Sequence, residues 1–411
     1  MRWPSLTLSA VVSAALVAPV VALLGACSDD GGDPPRTPPP RTEAPSPTAG
    51  VDSPALAALL VEHWDIEMAA DPLSATYTGD HRLDAAVTPA RRADVLALRD
   101  RRHALLASAT ALDAAGLTAR DQLTRAVLVA RLTAVVDLDV CDYERWAMSP
   151  RDNAIRHLDQ IGDFHPLLSA DDAASYRARV EAMPAAVDAI AAELAAGAAD
   201  GLTGGRQALQ GAISQIRGFA GRAPADWPMI AAIRDGFLDA GDRDRLIRDV
   251  TNVITTQLAP AYLRAASTLE TSALPAARSV EGLVGLPRGA DCYAAEIRRH
   301  TTLAMTATEL HDLGLSEVAR IEAAMIALGH ELYGVDTLAG VRNRLDADAS
   351  QRFASEAEIL SWSNGIIARS RDQVAPLFAK FPVAPLEVVP YPASYGQVAA
   401  SYWSSPNGVQ P

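Results

Sequence analysis

The chain has 411 residues, with 36 basic and 50 acidic side chains and a formal net charge of −14. That balance argues against nucleic acid as a partner, because phosphate binding needs a basic footprint, and it offers no electrostatic hold on anionic lipid. A hydrophobic share of 49% with 21% charged residues indicates a packed globular core rather than disorder.

In chain order, the first signal is Met1-Arg2-Trp3, a short positive start, followed by an apolar stretch from Leu6 to Leu24. It runs into Leu24-Gly25-Ala26-Cys27, where small residues precede a cysteine. This arrangement predicts a secretory signal peptide over residues 1–26, and the Cys27 junction resembles the processing site of bacterial lipoproteins. On that reading Cys27 carries the lipid, and two or three acyl chains hold the protein on the cell membrane, facing outside the cytoplasm. An uncleaved membrane helix is the competing reading. Pro19 within the stretch, Gly25-Ala26 after it and the polar run beyond weigh against it. Residues 27–52 are rich in Pro, Gly, Ser and Thr and cannot bury enough surface to offset their ordering entropy. They are expected to be a disordered, semi-rigid tether.

Residues 53–411 read as helix after helix. Ser53-Pro54 supplies a cap and an N1 proline, and Thr88-Pro89 repeats the device before an Ala/Leu/Arg segment ending near Gly116. Thr118 with Asp121 opens another helix, with Leu123, Ala126, Val127 and Ala130 on one stripe. Ser169-Ala170-Asp171-Asp172 starts a further one, which Pro184 is expected to divide. Helical runs continue over roughly 206–220, 228–240 and 242–267. "PLEVVPYP" (Pro385 to Pro392) is the one convincing extended piece. The predicted fold is therefore mainly α, a multi-helix body with a short β element near the C-terminus. Besides Cys27 the chain has Cys141 and Cys292. They could pair in an exported protein, but sequence alone does not bring their α-carbons within bridging distance, and two buried, inert thiols are expected.

Between Val280 and Met325 a block carries a resemblance. Gly285-Leu286-Pro287-Arg288-Gly289 is followed by Tyr293, then Arg298-Arg299-His300-Thr301-Thr302, Glu309 to Gly314, and Glu317-Val318-Ala319-Arg320-Ile321-Glu322. "LSATYTGDHRLD" (Leu73 to Asp84) and the terminal "ASYWSSPNGVQP" agree in order. The series resembles the domain-of-unknown-function 885 family, bacterial proteins often made as lipoproteins. The resemblance implies the helical part of a large zinc-peptidase-like fold, with zinc in the complete family protein and an H-E-x-x-H-type helix in a later segment. This sequence ends before that segment, so the chain is expected to be C-terminally incomplete, inactive alone and bare where the later segment would dock. The implied parent is a membrane-anchored zinc hydrolase of peptides; the alternative is a non-catalytic binding or scaffolding lipoprotein.

The chain's own residues were tested for a metal site. A helical zinc pair needs imidazoles at i and i+4; His330-Glu331 begins correctly, but position 334 is Gly. No metal site is therefore expected in this chain. Glu296 and His300 stand one helical turn apart and either orient a substrate or form a routine surface pair. His81 after Gly79-Asp80 and His165 before Pro166 read as turn histidines bonded to nearby backbone. Asp163 with His165 has no Ser or Cys in a nucleophile elbow to complete a triad. The candidate cleft residues are His300, Arg299 and Tyr293 of the family-like block, with Tyr402 of the terminal block as a candidate oxyanion donor in a metallopeptidase.

Overall fold

A computed structural model of the protein describes residues 43–378 except 281, together with 386 and 388–390. All of them belong to the contact unit Pro38–Pro411. The signal peptide, Cys27, most of the tether and Tyr402 lie outside the described residues.

The described chain is helical almost throughout. α1 (Pro54–Ala70), α2 (Pro72–Thr78), α3 (Arg92–Ala111) and α4 (Ala119–Asp137) come first. α5 (Ala154–Leu158), α6 (Ile161–Phe164), the 30-residue α7 (Ala170–Ala199), α8 (Arg206–Ala220) and α9 (Pro228–Asp235) follow. α10 (Ala240–Val253), α11 (Ala259–Thr268) and α12 (Leu274–Ala276) form one rod, joined by π turns at Ile254–Leu258 and Leu269–Ala273. Hydroxyls of Thr256 and Thr271 bond back to the carbonyls of Asn252 and Ser267 there, satisfying acceptors at these irregular turns. α13 (Gly289–Thr301), α14 (Ala307–Tyr333), α15 (Leu338–Ala347) and α16 (Glu356–Val374) complete the series.

Three buried clusters organise these helices. α1, α3 and α4 close on Leu56, Ile66, Leu105, Ala109, Leu128 and Leu132. The largest core runs from Met148 to Ala277 and includes the inner face of α7 and the fully buried Trp227, Tyr176 and Tyr262. The third contains Leu138, Cys141, Cys292 and Ala295, where α13 meets the turn after α4.

Local caps explain most helix starts. Ser53, Thr118, Ser169 and Thr306 each accept from the N–H three residues on, and Thr306 with Glu309 forms a complete capping box. α14 stops at Gly334, which takes the left-handed φ of 66° that glycine tolerates.

Several expectations are corrected. The helix after Thr88-Pro89 begins at Arg92: Arg91 caps it and binds Asp94 at 2.7 Å, while Thr88, Pro89 and Ala90 wall a cavity instead. On α4 the stripe Leu123, Ala126, Val127, Ala130 is exposed. The inward face carries Asp121, Leu128 and Leu132. Asp121 sets that rotation: buried, it accepts from Ser53 N at 2.8 Å and Asp52 N at 3.2 Å, pinning α4 to the start of α1. Pro184 does not divide α7; it is buried within the helix, where packing along the long inner face outweighs one missing backbone bond. The run after Pro228 ends at Asp235. Cys141 and Cys292 are buried but not thiols: packing of α13 on the Leu138–Cys141 turn brings their α-carbons to 4.8 Å, and they form a disulfide.

Of Pro385 to Pro392, residues Leu386, Val388, Val389 and Pro390 are described, and none is in a strand; the rest lie outside the described residues. The β pairing found among the described residues is an isolated bridge between Gly205 and Arg278. α14 presents Leu313, Leu315, Val318, Ile321, Leu328 and Leu332 to the exterior, a continuous apolar face. α7 is long and apolar enough to cross a membrane by length and composition, yet half of its most apolar window is buried, as suits a core helix.

One buried carboxylate gives the fold a pH signature. Asp80 accepts from Trp64 Nε1 at 2.8 Å and from Arg82 Nε at 2.8 Å, and these bonds hold its pKa down to about 2 from the ordinary 3.8, the Arg82 bond contributing most. A folded value below the unfolded one means a contribution that is complete above pH 3.8 and lost as pH falls through about 2. Asp80→Asn is expected to cost about 1.5 kcal/mol near neutrality. In urea denaturation that deficit should shrink from about pH 4 downward and vanish near pH 2; a deficit constant across this window contradicts the assignment.

Candidate functional site

α2, the segment 86–90, α5, α6 and α7 enclose a cavity of about 650 Å³, lined chiefly by apolar side chains. Tyr77 of α2 and Phe164 of α6 meet edge-on at 4.9 Å in its wall, and Leu73, Val87 and Met183 continue the apolar surface. Asp71, Glu144, Glu193 and His157 add polar groups to the lining.

The charged element set deepest in this wall is Arg179 of α7, only 2% exposed. Its Nη2 donates to the Thr76 hydroxyl at 2.8 Å, to Leu83 O at 2.7 Å and to Pro72 O at 3.2 Å, tying α7 to both ends of α2. Thr76 in turn donates to Asp84 Oδ1 at 2.6 Å, and Asp84 Oδ2 meets His81 Nδ1 at 2.9 Å. Asp84 thus compensates the guanidinium through one intervening hydroxyl. Burial pulls the Arg179 pKa down to about 10, so the group stays charged at neutral pH. Arg179 Nε and His81 Nε2 are buried without a hydrogen-bond partner among the described residues.

His165 was expected to be a turn histidine bonded to nearby backbone; it is buried, and its Nδ1 lies 3.4 Å from Arg179 Nη1. Its Nε2 lies 3.3 Å from the Asp172 carbonyl, and its ring meets Tyr176 edge-on at 5.0 Å. Ser175 also approaches Nε2 at 3.3 Å, but its hydroxyl donates back to the carbonyls of Asp171 and Asp172, which is not the posture of a nucleophile.

The family-like residues occupy a different place. Glu296 of α13 accepts from the Tyr143 hydroxyl and lies 3.1 Å from His300 Nε2. Burial and the bond to Glu296 push the Tyr143 pKa well above its ordinary value. Cys292 Sγ lies 3.8 Å from the same hydroxyl, so the disulfide and this cluster are neighbours. His300, Arg299 and Tyr293 are exposed on α13, and none of them lines the cavity described above. Cys27 and Tyr402 lie outside the described residues.

The donor set was tested for the zinc that the resemblance implies. All eight histidines fall within the described residues, and they are dispersed. His81 pairs with Asp84, His103 with Asp139, His157 with Asp152, His300 with Glu296 and His330 with Asp336, each a separate ion-pair contact between 2.7 and 3.1 Å. Among the described residues no three His, Cys, Asp or Glu side chains converge as metal ligands. These residues do not fit a zinc centre.

Sequence reasoning missed Arg179 and Tyr143. Arg179 had a legible signal: it interrupts the apolar stripe Tyr176, Val180, Met183, Val187 of a helix start that was recognised. Tyr143 had none, because its partner Glu296 is 153 residues away.

Fold and site together define an all-helical body around a largely apolar cavity with a buried guanidinium in its wall. The chain belongs to the DUF885 family, described as a bacterial protein of unknown function, whose profile matches residues 72–410. Its fold is similar to the crystal structure of "the putative lipoprotein from Colwellia psychrerythraea", with a TM-score of 0.74 at 20% identity. The match covers 84% of this chain and 64% of that one, so this chain spans less than two thirds of its neighbour's length. No curated protein matches the sequence.

Proposed function

We propose that these residues are the substrate-holding body of a lipid-anchored protein that resembles zinc peptidases, and that this body alone binds without turning over. The observation that carries the reading is the dispersal of the histidines: each paired imidazole is taken by a carboxylate of its own, and no three donors meet. Water activation by zinc requires three protein ligands and an open position. In this reading those ligands come from outside the described residues, and the helices contribute walls that admit flexible peptides.

Three features support anchoring outside the cytoplasm. The Cys27 junction follows an apolar leader, and the neighbour from Colwellia psychrerythraea is described as a "putative lipoprotein". The Cys141–Cys292 disulfide is a bond that persists in oxidising compartments. Cys27→Ala is expected to move the protein from the membrane fraction to the soluble fraction while leaving its far-UV circular dichroism unchanged. Retention of the variant in the membrane fraction after a high-salt wash would count against the anchor.

A non-catalytic binding lipoprotein is the second reading, favoured by the preformed cavity. Peptidase activity in the longest natural form of the protein would separate it from the first.

A further inference from the structure

The cavity beside α7 has two unlike ends. Arg179, Met183, Ile190 and Glu193 of this helix line it, and the first and last stand about 21 Å apart along the axis, at about 1.5 Å per residue. At the first end Arg179 is sealed, with its Nη groups engaged by His165, Thr76, Leu83 and Pro72. It presents no open donor. Between the ends the wall is hydrocarbon, from Ile190 through Met183 to the Tyr77–Phe164 pair.

The other end carries an available negative charge. Glu193 is half-buried and makes no hydrogen bond or ion pair among the described residues, and its oxygens are not sealed from solvent. Arg92 is near enough for Glu193 to help raise its pKa, but its guanidinium is bonded to Asp142 at 2.6 and 3.1 Å. The other charged groups of the lining are engaged locally. Glu144 is bound by Arg99 at 2.7 Å, His157 faces Asp152 at 3.0 Å, and Asp71 accepts from Ser74 Oγ at 2.6 Å. Among the described residues, the lining charge that is both accessible and without a bonded partner is thus Glu193, an acid.

We propose that this cavity binds an apolar molecule bearing a single ammonium group. The ammonium donates to Glu193, and the hydrocarbon part runs along α7 over Ile190 towards Met183. A carboxylate gives the ammonium a charge-assisted bond, and the apolar wall supplies the burial. The inference stands apart from the peptidase reading, because it needs neither metal nor hydrolysis.

The test is calorimetric titration of the full chain at neutral pH with 4-phenylbutylamine, 4-phenylbutanol and 4-phenylbutyrate, which share a shape and differ in charge. The expected result is saturable binding of the amine, with the alcohol and the acid weaker by about tenfold or more. Glu193→Gln removes the charge while breaking no bond of the fold, and should weaken the amine by about tenfold. Ala154→Trp adds bulk at an exposed wall position of α5 and should weaken the amine by about tenfold through lost space. Glu193→Gln decides the matter if the tryptophan variant fails to fold by circular dichroism. The proposal is overturned by no saturable amine binding up to about 10 mM, by equal binding of amine and alcohol, or by amine affinity unchanged in Glu193→Gln or in a folded Ala154→Trp.

Discussion

Reduction of the Cys141–Cys292 disulfide should lower the unfolding free energy by about 3 kcal/mol and the midpoint of thermal unfolding by roughly 4 °C. The bond closes a loop with a sequence separation of 151 residues, and constraint of so long a loop removes much entropy from the unfolded chain. It also fastens the third buried cluster, in which α13 packs on the turn after α4 through Leu138 and Ala295. Without it, α13 is held by that small apolar contact, by packing on α4 and the Leu283–Gly285 turn, by the Tyr143–Glu296 bond and by the Arg298–Asp137 pair at 3.0 Å. Cys141→Ser with Cys292→Ser should reproduce the loss, read by scanning calorimetry with and without reductant. Equal midpoints for oxidised and reduced protein would show that α13 is held by packing alone.

Trp227→Ala should cost about 4 kcal/mol, the upper range for removing a large core side chain. Trp227 is fully buried at the start of α9 and lies 5.6 Å from the ring of Tyr262 on α11. Tyr262 in turn donates to Asp159 at 3.0 Å, and Arg222 donates to the other oxygen at 2.7 Å. Burial raises the Asp159 pKa, opposed by Arg222, so loss of the indole would loosen the enclosure of a carboxylate that depends on both partners. Trp227→Phe keeps an aromatic surface and should cost about 1 kcal/mol. Urea denaturation of the three proteins checks this. A loss below about 1 kcal/mol for the alanine variant would mean that the indole is not the keystone of the main core.

Much of the helical order was legible because capping is local. Ser53, Thr118, Ser169 and the Thr306–Glu309 box each announce a helix within four residues, and each opens one. The failures required knowledge of distant residues. The rotation of α4 depends on Asp121 reaching Asp52 and Ser53. The continuity of α7 through Pro184 depends on its burial against several other helices. The disulfide depends on α13 docking beside α4. At the level of the site, the Glu296–His300 pair was readable from helical spacing, whereas its third member, Tyr143, was not. The cavity was not readable at all, since four of its walls are short helices and a turn whose sequences carry no shared motif.

Five of the eight histidines each face a carboxylate of their own, and among the described residues no three donors converge on a point where a metal could be held. The direct measurement is metal content by mass spectrometry on residues 27–411, loaded with excess zinc and then desalted, together with a peptidase assay on the same sample. The account predicts well under one zinc per chain and no peptide turnover. One tightly held zinc per chain with accompanying hydrolysis would contradict it.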